Sequence, residues 1–116
     1  MAGKICHIDF NVKDLAAAKE FYGNLFGWTF TDVSGDYVIF SAADGVGGGF
    51  QQVEETPPDG AVQLIIEVDD IPGTLSKIAE AGGSTEKERT ELPMGFGFYA
   101  MFRDPLGNLA GLWSKA

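Results

Sequence analysis

The sequence predicts an α+β domain built from two tandem β-α-β-β-β modules. Three observations carry that expectation. The segment His7-Ile8-Asp9-Phe10-Asn11-Val12-Lys13-Asp14-Leu15 recurs as Gln63-Leu64-Ile65-Ile66-Glu67-Val68-Asp69-Asp70-Ile71, an offset of 56 in a chain of 116 residues. Each copy alternates like a strand and then meets a helix-capping aspartate. The rest of each half breaks into short apolar runs divided by Gly, Asp and Ser turns. The length fits one domain with a real core, with module one over 1–56 and module two over 57–116.

Residues 5–12 alternate. Cys6, Ile8, Phe10 and Val12 form an apolar face for a helix, and Ile5, His7, Asp9 and Asn11 a markedly polar one. Asp14 suits an N-cap. Leu15, Ala18, Phe21, Tyr22, Leu25 and Phe26 recur at helical spacing up to Gly27, so a helix is expected over 15–26. Strands follow over 28–33, 37–42 and 46–53. Gly47-Gly48-Gly49 weakens the last of these and marks a bulge or the close approach of another group. No helix start or Lys-Ser/Thr pair follows these glycines, so they are not a phosphate loop. Residues 54–60, with Pro57 and Pro58, read as the linker.

The second half restarts with a strand over 61–68. Val62, Leu64, Ile66 and Val68 are expected to face a helix, and Gln63, Ile65 and Glu67 to point away. Asp70 caps that helix over 71–81, Pro72 is tolerated in its first turn, and Gly82-Gly83 ends it. Strands are expected near 84–90, 96–103 and 108–113, with a turn at Asp104-Pro105-Leu106-Gly107-Asn108 between the last two.

A net charge of −9 with no basic stripe argues against nucleic acid and anionic membranes as partners, and favours a cationic over an anionic ligand. Acidity for solubility explains the same number. Cys6 is the only cysteine, so an intrachain disulfide and a cysteine zinc site are both out of reach; a buried, inert thiol is expected. No apolar run approaches a membrane span and no signal-peptide core opens the chain, so the expected location is the cytoplasm.

His7-x-x-x-x-Val12-x-Asp14, Phe21-Tyr22-x-x-x-Phe26-Gly27-Trp28 and Phe102-Arg103-Asp104-Pro105-x-Gly107-Asn108 together resemble the vicinal oxygen chelate superfamily across the whole chain. That group holds glyoxalase I, extradiol dioxygenases and bleomycin-resistance proteins. The resemblance implies two βαβββ modules forming a curled mixed sheet around a central cleft. Its modules pair within a chain or swap between chains, which leaves a homodimer open.

In metal-dependent relatives four cleft positions hold a divalent ion. The resemblance puts His7 at the first and Gln63 at the third. Gly49 stands at the second, within a residue or so, and Gly111 at the fourth, where glutamate is usual. Glycine has no donor atom, and zinc or iron sites generally need three protein ligands. Glu54 or Glu55 could substitute only if strand four shifted by several residues. The expectation is therefore no cofactor, with weak divalent binding by His7 and Gln63 left open. The implied function is glyoxalase- or bleomycin-resistance-like binding of a small, partly apolar molecule in the cleft. The alternatives are a metal-dependent lyase, isomerase or dioxygenase with an atypical ligand set, an acid–base catalyst without metal, and a non-catalytic interaction module.

Catalytic candidates are His7, Asp9 and Glu67. An imidazole beside a carboxylate is the pairing that acid–base work uses, and a purely structural role for each is equally open. Ligand-binding candidates are His7, Gln63, Phe96, Phe98, Met101 and Trp113, with Tyr99 beside them; plain core packing is the alternative. Met94-Gly95-Phe96-Gly97 reads as a flap or an ordinary loop. Arg103 is expected to brace the terminal turn.

Overall fold

The computed structural model describes residues 3–55, 61–105 and 108–116. Thr56 to Gly60 of the expected linker, and Leu106 and Gly107 of the terminal turn, lie outside the described residues. The elements are β1 (Ile5–Val12), α1 (Leu15–Phe26), β2 (Thr29–Ser34), β3 (Tyr37–Ser41) and β4 (Gly48–Gln52), followed by β5 (Val62–Glu67), α2 (Ile71–Glu80), β6 (Ser84–Glu91), β7 (Phe98–Arg103) and β8 (Leu109–Ser114). This is the predicted α+β order, β-α-β-β-β twice. Among the described residues no helix is long and apolar enough to cross a membrane.

Contacts divide the chain into two units, Cys6–Gln63 and Met1–Ile5 with Leu64–Ala116. In the first, the strands run in the order β2-β3-β4-β1. β1 and β4 are parallel, and β3 is antiparallel to both β2 and β4. Asp14 caps α1 by accepting from the Ala17 amide at 3.1 Å, and Gly27 ends it at φ 73°, a conformation that suits glycine.

Below α1 lies an aromatic cluster. Trp28 stacks on Phe40 at 4.4 Å and on Tyr22 at 4.8 Å, while Phe10 meets Phe50 edge-on at 5.6 Å. Phe50 is fully buried. The helical stripe read from the sequence is wider than the face that packs. Tyr22 reaches the sheet, but Phe21, Leu25 and Phe26 stay exposed, at 55%, 62% and 62%. The helix lies over the sheet through the Tyr22 side, and no residue of α1 is buried.

In the second unit the order is β5-β8-β7-β6, with β5 parallel to β8 and the rest antiparallel. Asp70 caps α2 by accepting from the Gly73 amide at 3.1 Å. Ile71 and Leu75 of α2 pack on Ala100 and Leu112, joined by Ile66, Val68 and Phe102. Val62 and Leu64 depart from expectation: both are exposed, so the helix-facing side of β5 packs only from Ile66 onward. Cys6, the single cysteine of the chain, is half-buried rather than buried. Arg103 Nε donates to Glu86 at 2.9 Å, and Asp104 Oδ1 accepts the Asn108 amide at 2.9 Å across the terminal turn.

Candidate functional site

Strand alternation sends His7, Asp9 and Asn11 to the face of β1 opposite the aromatic cluster. The register sets Asp9 beside Gly49 on β4, and Gly49 beside Ile39 on β3. Tyr37 lies two residues from Ile39, on the same face, and its side chain leans back across Gly49. A Cβ on Gly49 would overlap the Tyr37 hydroxyl and ring, so only glycine leaves the tyrosine its seat. The close approach that the glycine run forecast is this phenol, together with the Ile8 carbonyl and the Phe40 ring against Gly48.

Three polar groups converge there. The Tyr37 hydroxyl donates to Asp9 Oδ1 at 2.8 Å. His7 Nε2 lies 2.7 Å from the same oxygen and 3.0 Å from Tyr37 Oη. The side chains of His7 and Asp9 are 29% and 26% exposed, so the cluster is half-buried and open to solvent on one side. Burial first, then the charge of Asp9 and the hydrogen bond to it, hold the Tyr37 phenol far above the usual phenol range. At neutral pH it is a fixed donor.

The corresponding place in the second unit is apolar. Ile65, which the repeat offset matches to Asp9, pairs with Gly111, and Gly111 pairs with Met101. A Cβ on Gly111 would meet the Ile65 and Met101 side chains. One glycine makes room for a tyrosine with a polar cluster; the other makes room for aliphatic packing.

These residues do not fit a divalent ion. His7 Nε2 is already hydrogen-bonded to Asp9 and Tyr37. Gly49 contributes no donor, and the Tyr37 side chain fills the space over it. Among the described residues no three His, Cys, Asp or Glu side chains come together as a ligand set.

The remaining candidates separate. Glu67 pairs with Lys4 at 3.7 Å and takes no part in the His7 cluster. Gln63 is half-buried on β5. Met101 and Trp113 share the Gly111 face. Trp113 donates from Nε1 to the Phe96 carbonyl at 2.7 Å, which ties the exposed Phe96 loop to β8. The lining that grouped Phe98 with Met101 is corrected by alternation: Phe98 turns to the α2 side, packs on the Ile71–Leu112 core, and is covered by the Arg89 guanidinium at 3.7 Å. The flap reading of 94–97 meets a turn of 3-10 helix over Pro93–Gly95, closed by the Leu92 amide donating to the Gly97 carbonyl at 2.8 Å. Tyr37 itself was not among the candidates. Its signal was a bulky polar residue on the His7-side face of β3, the strand next to the glycine run.

Comparison with known proteins identifies the family and the fold. The profile of the family described as the Glyoxalase/Bleomycin resistance protein/Dioxygenase superfamily matches residues 4–112. CFP32 of Mycobacterium tuberculosis, named as a candidate glyoxylase, is 29% identical over 114 residues, covering 91% of this chain and 43% of its own. DnrV of Streptomyces peucetius, an anthracycline biosynthesis protein, is 32% identical over 126 residues, covering 92% of this chain and 45% of its own. The chain thus spans less than half the length of these relatives. Among solved structures, the Mn(II)-bound glyoxalase of Novosphingobium aromaticivorans superimposes with a TM-score of 0.75 at 19% identity, over 98% of this chain and 39% of that one. That likeness is one of fold.

Proposed function

The chain belongs to the glyoxalase/bleomycin resistance protein/dioxygenase superfamily, and on that premise we propose that it is a member that binds a small, partly apolar molecule without a metal ion. The observation that carries this reading is Tyr37 seated over Gly49, with its hydroxyl and His7 Nε2 both turned onto Asp9. Donors that would be free for an ion are spent on one another. The half-open cluster is a polar anchor of the kind that fixes the orientation of a small molecule. The acidic side chain of Asp9, together with a net charge of −9, favours neutral or cationic ligands over anionic ones. A cytoplasmic location and a homodimer complete the reading; light scattering that reports only monomer would remove the second.

Equilibrium dialysis against Zn²⁺, Ni²⁺, Mn²⁺ and Fe²⁺ with elemental analysis tests the reading. The expected result is no stoichiometric ion. One ion per chain that His7→Ala releases would overturn it.

A second reading is proton-transfer catalysis by the same cluster. The 2.7 Å contact of His7 Nε2 with Asp9 favours it, because a carboxylate that orients an imidazole is the usual support of a general base. A screen with methylglyoxal–glutathione hemithioacetal and with catechols checks it. Turnover abolished by His7→Ala supports catalysis, and no turnover with either class counts against it.

A further inference from the structure

We propose that His7 meets its ligand through Nδ1, as a hydrogen-bond acceptor for an O–H or N–H group, with Asp9 and Tyr37 as positioning residues that fix the ring proton on Nε2. The inference rests on the metal-independent reading above and deepens it. The proton is assigned from the partners. Asp9 Oδ1 only accepts, and it lies 2.7 Å from Nε2. A bare ring nitrogen there would set its lone pair against a carboxylate oxygen. Tyr37 has one proton and gives it to Asp9 at 2.8 Å, so at 3.0 Å it offers Nε2 only lone pairs. Both neighbours of Nε2 therefore demand an N–H. The neutral ring then carries its lone pair on Nδ1.

Nδ1 is also the atom that a ligand can reach. Among the described residues the side-chain hydrogen bonds of His7 run through Nε2. No side-chain nitrogen or oxygen among them is both buried and without a partner. Nδ1, having none, must open to solvent, on a side chain that is 29% exposed. The ligand class follows from the acceptor. Phenols, alcohols, amides and protonated amines present the donor it needs; carboxylates and ethers do not, and carboxylates also meet the charge of Asp9.

The chain has a single histidine, so its two ring nitrogens give one unambiguous pair of ¹⁵N resonances. The experiment is a long-range ¹H–¹⁵N correlation on chelator-treated, labelled protein at a pH where the ring is neutral. One tautomer with the proton on Nε2 is expected. The double variant Asp9→Ala/Tyr37→Phe, checked for folding by its amide spectrum, is expected to show an exchange-averaged mixture. Phenol is expected to move the Nδ1 resonance saturably, and anisole or benzoate to leave it in place. A proton on Nδ1 in the native protein, or a mixture there, overturns the proposal. So does a resonance that phenol leaves unmoved, or one that anisole moves equally. A bound metal found by dialysis would sink the metal-independent reading while leaving the metal-free tautomer as measured; a mixed tautomer in metal-free protein would do the reverse.

Discussion

Replacing Gly49 by alanine isolates the seat of Tyr37. Gly49 is the second residue of β4 and has an ordinary extended backbone, so alanine should by itself stabilise the strand by about 0.5–1 kcal/mol. The added Cβ, however, overlaps the Tyr37 ring and hydroxyl. Overpacking of that kind costs about 1–3 kcal/mol. A ring that moves aside also loses its 2.8 Å bond to the Asp9 carboxylate, worth roughly 1.5–3 kcal/mol for a charged partner. The cluster is half-open, so the lower ends apply, and the net expectation is a loss of about 2 kcal/mol. Urea unfolding followed by circular dichroism measures it. In a Tyr37→Ala background the overlap is gone, and Gly49→Ala should then be neutral or stabilising, giving a coupling energy of about 2–3 kcal/mol. Tyr37→Phe should not relieve the clash, because ring carbons as well as the hydroxyl meet the new methyl. Equal costs for Gly49→Ala in the native and Tyr37→Ala backgrounds would refute the reasoning.

Three further outcomes are expected. Tyr37 keeps its proton in the native state to higher pH than in the unfolded chain, whose phenol titrates near 10. Its contribution is intact below about pH 10 and declines above it by up to about 1.4 kcal/mol per pH unit, a slope that Tyr37→Phe should remove from alkaline unfolding curves. Phe50→Ala empties the centre of the aromatic cluster and should cost about 3–5 kcal/mol in urea unfolding, while Phe26→Ala, at an exposed position, should cost under about 1 kcal/mol. Asp70→Ala removes the acceptor for the Gly73 amide and should lower stability by about 1 kcal/mol, with Asp70→Asn largely retaining it.

Local signals made most of the fold legible. The caps Asp14 and Asp70, the 3.6-residue stripes and Gly27 at φ 73° are interactions within a few residues of each other, and they fixed both helices to within a residue. The repeat gave the element order, because equivalent halves must fold alike. What failed depended on distance. Val62 and Leu64 alternate correctly, but α2 packs only against the later part of β5. Phe21, Leu25 and Phe26 are spaced for burial, yet the sheet they would need is already covered through Tyr22. The site shows the same division. His7 and Asp9 share a face by simple alternation. Tyr37 joins them only through the β1–β4–β3 register, which no local pattern encodes, and the glycine that admits it looks in sequence like a missing ligand. Gly49 is there because another side chain needs its volume.

A crystal grown in excess Mn²⁺, with anomalous diffraction data, tests whether the Tyr37 phenol stands where an ion would. The expected result is Tyr37 over Gly49, bonded to Asp9 and His7, with no anomalous peak near either. A manganese peak beside His7, with the Tyr37 ring swung off Gly49, would contradict it.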